Sequence, residues 1–238
     1  MQGFPSIPGH HHHLTVALWM ISAGLAMPAF SDPGPKSIRY VAIGDSYSIG
    51  EGASPGEAWP SLLAKHLQAV GVDITLVANP SRTGWTTQDA IDSELPVFIK
   101  ARPDFATLQI GVNDWVAGVG AEVFEKRLAS LMDAMLAVLP ERGRLLVVTI
   151  PDFSVTPAGA EFGGGRDISR GIAEFNAIIV KQAKLRNLKT ADVFELSRLM
   201  AGDKSLTAAD GLHPSAKEYA AWEKVIFPVA HGLLKHGD

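Results

Sequence analysis

The chain contains no cysteine. Disulfides, thiolate metal sites, a cysteine nucleophile and lipid anchoring through an N-terminal cysteine are therefore all excluded. It also lacks a cluster of Lys and Arg, and its formal net charge is -4. A main partner of nucleic acid is not expected, because phosphate contacts need a concentrated basic surface. No internal repeat and no low-complexity tract is present. What remains is ordinary globular composition: 238 residues, 47% hydrophobic and 19% charged. That suits one domain or at most two small ones, with a core large enough to need no covalent staple.

The N-terminus differs in character. Residues 14–30, LTVALWMISAGLAMPAF, carry no charge and are mostly apolar. The run is short for a membrane span and contains Pro28, so stable membrane insertion is not expected. Two readings stand. One is a secretory signal core with Ala26 and Ala29 near the cleavage point, which would make the protein secreted or periplasmic. Against it, no Lys or Arg precedes the run. The other is an extension upstream of a start at Met20 or Met27, which leaves a cytoplasmic protein. His10 to His13 read as a tag or a chance tract, since no carboxylate or further histidine lies nearby. The expected division is a segment 1–33 followed by a single domain 34–238.

From Ile38 onward, strand-like and helix-like segments alternate. Residues 38–43, 74–78, 105–110, 145–150 and 188–194 are short, β-rich runs bounded by Gly, Pro or Asn. Runs that are nearly continuous in apolar residues mark strands covered on both faces. Phe124, Leu128, Leu131, Met135 and Leu139 form one helical stripe, and Ile168, Ile172, Phe175 and Ile179 another. Residues 57–70 read as a helix. A last helix starts after Pro214 with Ser215-Ala-Lys-Glu218 as a capping box, and Pro228 is expected to end or kink it. This order predicts a parallel sheet with helices on both faces. The stretch 152–166 is the longest expected loop, either a lid over a site or passive surface.

In such a sheet ligands bind beyond the carboxyl ends of the strands, so the residues after each strand matter most. After the first come Gly44-Asp45-Ser46; after the second, Asn79-Pro-Ser-Arg-Thr-Gly84-Trp85; after the third, Gly111-Val-Asn113-Asp114. Asp210-Gly-Leu-His213-Pro214 precedes the last helix. Only His213 sits in a loop with a carboxylate three residues before it, where Asp210 can accept the Nδ1 proton and leave Nε2 as a base. Ser46 follows a strand directly, where amides converge on its hydroxyl. Its setting is not the Gly-x-Ser-x-Gly elbow, since Ser48 stands where the second glycine belongs. Gly84 could offer a backbone N–H, and Asn113 its side-chain amide, to an oxyanion. Each of these residues alone has a bland explanation as a cap, a turn or a solvated histidine. Together they supply a nucleophile, two donors and an oriented base at one sheet edge.

These blocks resemble the four signature blocks of the SGNH (GDSL-type) hydrolases, in that family's order and spacing, over about residues 38–230. The resemblance implies a three-layer α/β/α, flavodoxin-like fold on a five-stranded parallel sheet, without cofactor or metal. It also implies Ser46 as nucleophile, His213 as base and Asp210 as its orienting partner. The Ser46 amide, the Gly84 amide and the Asn113 side chain would form the oxyanion hole. Trp85 is bulkier than is common beside the hole, and Tyr47 replaces a leucine.

The substrate expected is a small or lipid-like carboxylic ester. Tyr47, Trp85, Trp115 and Phe153 are expected to line the pocket and favour an apolar group. A carbohydrate O-deacetylase is the alternative within the fold, and a non-catalytic sugar- or acyl-binding module the rival from another class.

Overall fold

The computed structural model describes residues 1–3 and 37–235. The tract His10–His13 and the apolar run 14–30 lie outside the described residues. By its contacts the chain divides into Met1–Pro35 and Lys36–Asp238. The second unit carries the sheet and its helices.

Five parallel strands form one sheet in the order β2-β1-β3-β4-β5: β1 Ile38–Gly44, β2 Ile74–Ala78, β3 Phe105–Gln109, β4 Leu145–Val148 and β5 Lys189–Ala191. This is the flavodoxin-like order expected from the sequence. The three central strands are the continuous apolar runs. β3 and β4 are buried at every position, while the edge strands β2 and β5 are partly exposed. Burial on both faces is what removes the polar alternation from a strand's sequence.

Among the described residues, ten α-helices complete the unit: α1 Ser46–Ile49, α2 Trp59–Ala69, α3 Thr87–Asp89, α4 Leu95–Ala101, α5 Val112–Val116, α6 Ala121–Val138, α7 Gly159–Gly163, α8 Ile168–Leu185, α9 Phe194–Ser197 and α10 Ala216–Lys235. α2 and α10 pack together on one face of the sheet, and α4, α6 and α8 on the other. Trp59, Leu63, Tyr219 and Trp222 fill the first interface, and Phe98, Phe124, Leu128, Met135 and Ile172 the second. The stripes read from the sequence are thus the buried faces of α6 and α8.

Two local expectations are met only in part. α10 runs through Pro228 rather than ending there. Pro228 and Lys224 are exposed, on the face of α10 where water can satisfy the Lys224 carbonyl that proline leaves without a helical donor. Tyr219, Trp222, Ile226 and Ala230 hold the helix on the sheet across the interruption. The capping box at its start is only half formed. Ser215 Oγ accepts from the Glu218 amide at 3.4 Å. The Ser215 amide, however, donates to the Leu206 carbonyl, and the buried Glu218 carboxylate accepts from Trp222 Nε1 at 2.7 Å.

The stretch 152–166 is not a bare loop. It carries a 3-10 turn, Phe153–Val155, and the short helix α7.

Below the sheet's carboxyl edge, polar side chains bridge layers. Trp59 Nε1 of α2 donates to Gln109 Oε1 at 2.9 Å, and Gln109 Nε2 donates to the Thr149 carbonyl at 3.1 Å. Gln109 is the last residue of β3 and pairs with Gly44 of β1. Trp59→Phe leaves its amide oxygen buried and unpaired, a loss of about 1–3 kcal/mol. Urea denaturation of that variant should show the loss with an unchanged m-value.

Candidate active site

The topology reverses direction between β1 and β3, and chains leaving those two strands form the floor of the site. β1 ends at Gly44 and the chain turns at once into α1. Asp45 is its N-cap, accepting the Tyr47 amide at 3.0 Å. Ser46 opens the helix, so its amide has no partner within it. Next door, β3 leads through Gly111 into α5. Gly111 has φ of +125°, and a Cβ there would stand 2.7 Å from the Phe124 ring, so only glycine makes this turn without strain.

The second loop is joined to the third by buried hydrogen bonds. Asp114, fully buried, accepts the Thr87 amide at 2.7 Å and the Thr87 hydroxyl at 2.6 Å. Asn113 Nδ2 donates to the Trp85 carbonyl at 2.8 Å, which orients its amide and leaves it one further N–H. Gly84 has φ of +84°, has open space where a side chain would stand, and its N–H makes no hydrogen bond among the described residues.

The fourth loop carries the acid and the imidazole. His213 Nδ1 donates to Asp210 Oδ2 at 2.6 Å. Asp210 Oδ1 accepts the amides of Leu212 and His213 at 2.9 and 3.0 Å. Burial pushes the Asp210 carboxyl up, but these three donors outweigh it and hold it below the usual carboxylate range. An ionised Asp210 keeps the Nδ1 proton in place, so Nε2 presents its lone pair.

Ser46, Gly84, Asn113 and His213 meet around one pocket of about 220 Å³. Its other walls are Tyr47, Thr83, Val112, Val116, Phe153, Phe162 and Leu212. Of the four aromatic residues expected there, Tyr47 and Phe153 line it and the two tryptophans do not. Trp115 is buried, edge-on to Phe153, and its indole takes the space above Gly171, where a Cβ would stand 2.0 Å from Nε1. Trp85 faces a separate groove with Ile49, Pro80 and Val97, and the Arg82 guanidinium lies 5.3 Å over its ring.

Sequence reading missed Val112, Val116, Phe162 and Leu212. Each neighbours a motif residue or lies in the 152–166 stretch, but nothing in its spacing marks it. Among the described residues, no group of three or more His, Asp or Glu gathers as a metal site.

The 152–166 segment is fastened at its middle and at its C-terminal end. The Ala158 amide donates to the Gly211 carbonyl, between Asp210 and His213. Arg166 donates to the carbonyls of Trp115, Val116 and Gly163 at 2.6, 2.9 and 3.0 Å, and its guanidinium stacks 4.1 Å over Trp115. A cation on the last carbonyls of α5 is in its favourable position. Arg166→Met should lower stability by about 1–3 kcal/mol by stranding these acceptors. Limited proteolysis should then cut within 156–166 faster than in the parent protein.

A parallel sheet that brings a serine, a carboxylate-oriented histidine and amide groups to one carboxyl edge is an arrangement that serine ester hydrolases use. Comparison with known proteins agrees. Residues 42–221 match the model of the GDSL-like Lipase/Acylhydrolase family, and the chain belongs to that family. It is 32% identical over 139 residues to a multidomain esterase of Ruminococcus flavefaciens, covering 58% of this chain but only 17% of that protein. It is 25% identical over 198 residues to esterase TesA of Pseudomonas aeruginosa, covering 82% of this chain and 88% of that one. The crystal structure of TesA superposes with a TM-score of 0.65, covering 82% of this chain and 99% of the other. A family 3 carbohydrate esterase of Clostridium thermocellum, 20% identical, shares the fold with a TM-score of 0.68 over 84% of this chain and 98% of its own. Among the described residues no helix is long and apolar enough to cross a membrane.

Proposed function

We propose that this chain hydrolyses carboxylic esters through an acyl-enzyme on Ser46, and that its preferred substrates carry a compact apolar acyl group. The observation that supports it most is the shared pocket. One wall holds Ser46, His213, Asn113 and Gly84, and the others are mostly apolar.

In this mechanism the Ser46 hydroxyl attacks the ester carbonyl as His213 Nε2 takes its proton. Asp210 stabilises the imidazolium that forms and does not itself take the proton. The oxyanion lies against the Ser46 and Gly84 amides and the free N–H of Asn113. His213 then returns the proton to the leaving alcohol. A water activated by His213 releases the acid and frees Ser46.

Ser46→Ala should abolish hydrolysis of p-nitrophenyl acetate and labelling by a fluorophosphonate. Asn113→Ala should retain labelling but lose roughly 10²- to 10³-fold in kcat. Wild-type turnover in the serine variant would exclude the assignment. A wild-type protein inert to both reagents would favour a binding module.

The acyl preference is read from Phe153, Val112, Val116, Phe162 and Leu212. Phe162 is 40% exposed, at the pocket's outer wall, where only a longer chain reaches it. Phe162→Ala should lower kcat/KM for a hexanoyl ester by roughly 5- to 30-fold, the equivalent of about 1–2 kcal/mol of apolar contact, and leave the acetyl ester unchanged. Acetylated sugars assayed beside the series separate this preference from carbohydrate deacetylation. A higher kcat/KM for those sugars than for any simple acyl ester would reassign the substrate.

A further inference from the structure

Three carboxyls are buried beneath the nucleophile's turn, and none has a part in the proton transfers above: Asp45, Glu94 and Asp114. Asp45 caps α1 and Asp114 holds Thr87. Glu94 has no such local duty. It is the last residue of a π-helical turn, Ala90–Glu94, between α3 and α4, and it is wholly buried. A π turn inserts one extra residue and re-aims the side chains around it.

Glu94 Oε2 accepts the Gly44 amide at 3.0 Å and the Ser81 hydroxyl at 3.4 Å, while Oε1 has no partner among the described residues. Gly44 is the last residue of β1, two before Ser46. Ser81 lies three residues before Gly84. One carboxyl therefore bonds both the turn that presents the nucleophile and the loop that presents an amide donor.

We propose that Glu94 is a positioning residue that fixes the Ser46 turn against the Gly84 loop, and so sets the distance between the attacking hydroxyl and the amide that receives the oxyanion. The proposal rests on the ester-hydrolase reading of Ser46. Glu94 acts through Gly44 and Ser81 and touches no reacting atom.

Its surroundings dictate its protonation. Asp45 at the end of β1 and Asp89 of α3 set like charge against it. Asp92 of the same turn is exposed and accepts from Gln88. From α6 comes Arg127, which is half-buried and approaches Asp114 at 3.9 Å. Lys100 of α4 and Arg39 of β1 lie at the far ends of their elements. Burial above all, then the Asp45 charge, pushes Glu94 up to about 8 against the pull of its two donors. At neutral pH the tie is made by a neutral acid. Above pH 8 the acid ionises and sets a negative charge beneath the turn where the oxyanion develops, which raises the barrier.

The same ionisation acts on stability. The folded chain keeps a proton that the unfolded chain releases at the ordinary glutamate value, so the stabilising contribution is complete below that value. It is lost as pH rises through about 8. Glu94→Gln keeps the acceptor oxygen and the shape but cannot ionise.

The test compares wild type, E94Q and E94A in p-nitrophenyl acetate hydrolysis from pH 6 to 10, with thermal melting from pH 5 to 9. E94A should lose about 10-fold or more in kcat with KM little changed, because misplacement costs turnover before it costs binding. E94Q should restore the pH 7 turnover that E94A loses, and decline less than wild type above pH 8. The melting temperature of E94Q relative to wild type should rise between pH 5 and 9. Asp45, also pushed up to about 8 by burial, stays in both proteins and is coupled to Glu94 by charge, so their difference reports Glu94 together with its effect on Asp45. A folded E94A with wild-type kcat, or an E94Q with the wild-type alkaline decline, would overturn the proposal. Absence of esterase activity in the wild type would fail the Ser46 reading instead. The melting curves would still report on Glu94, and a flat difference there would overturn its neutral state.

Discussion

The two hydrogen bonds from Thr87 to the buried Asp114 carboxylate join the second loop to the third, and the geometry of the site depends on that junction. A parallel sheet brings strand ends to one edge, but it does not fix how loops lean over that edge. Gly84 and Asn113 leave different strands, and an oxyanion hole needs them at a set separation. Asp114 supplies the bond at the base of both loops, and Asn113 repeats it by donating to the Trp85 carbonyl. Burial makes the junction costly to break, since an unpaired carboxylate would be left out of water. That position has an electrostatic cost for Asp114 itself: burial raises its pKa, against Thr87 and Arg127, which lower it.

Those acids give the site an unusual underside. Asp45, Glu94 and Asp114 are buried near the turn of Ser46, where the proposed reaction would create a negative charge. Three ionised carboxylates there would oppose the oxyanion. Burial relieves the conflict for Asp45 and Glu94 by pushing both up to about 8, well above the usual carboxylate range. Asp210 has the opposite setting. It is exposed and meets three donors, which hold it below the usual carboxylate range beside His213. Carboxyls of one kind are thereby sorted into neutral supports and a charged partner by solvent access and donor count.

This sorting also decides what the sequence can reveal. The central strands were legible because burial on both faces leaves an unbroken apolar run, and the residues after them were legible because topology makes strand ends special. Asp210 and His213 declared themselves by a three-residue spacing that the loop preserves. Glu94 did not. Its place in the site comes from one extra residue in a helical turn, and a π turn has no periodic signature. Pro228 does not end its helix, for the converse reason. A proline's effect depends on whether the freed carbonyl meets water or core, and that is a property of the face it lies on. Ser215 and Glu218 spell a capping box, yet Trp222 takes the Glu218 carboxylate and Leu206 the Ser215 amide, which removes one of the box's two bonds.

The pocket walls show where local reading stops altogether. Trp85 and Trp115 stand within two residues of Gly84 and Asn113, yet both turn away, one into a separate groove and one into the packing over Gly171. Proximity along the chain places a backbone, while side-chain direction follows from what space the neighbours leave. The pocket's aromatic wall is built instead by Phe153 and Phe162, from a segment bonded to Gly211 and to the end of α5. Those bonds tie the wall to the histidine loop at the middle of the segment and to the asparagine helix at its C-terminal end. A change in the wall that strains either anchor is therefore felt by the groups that do the chemistry. Acyl preference and turnover should be harder to separate in this chain than in one whose pocket loop hangs free.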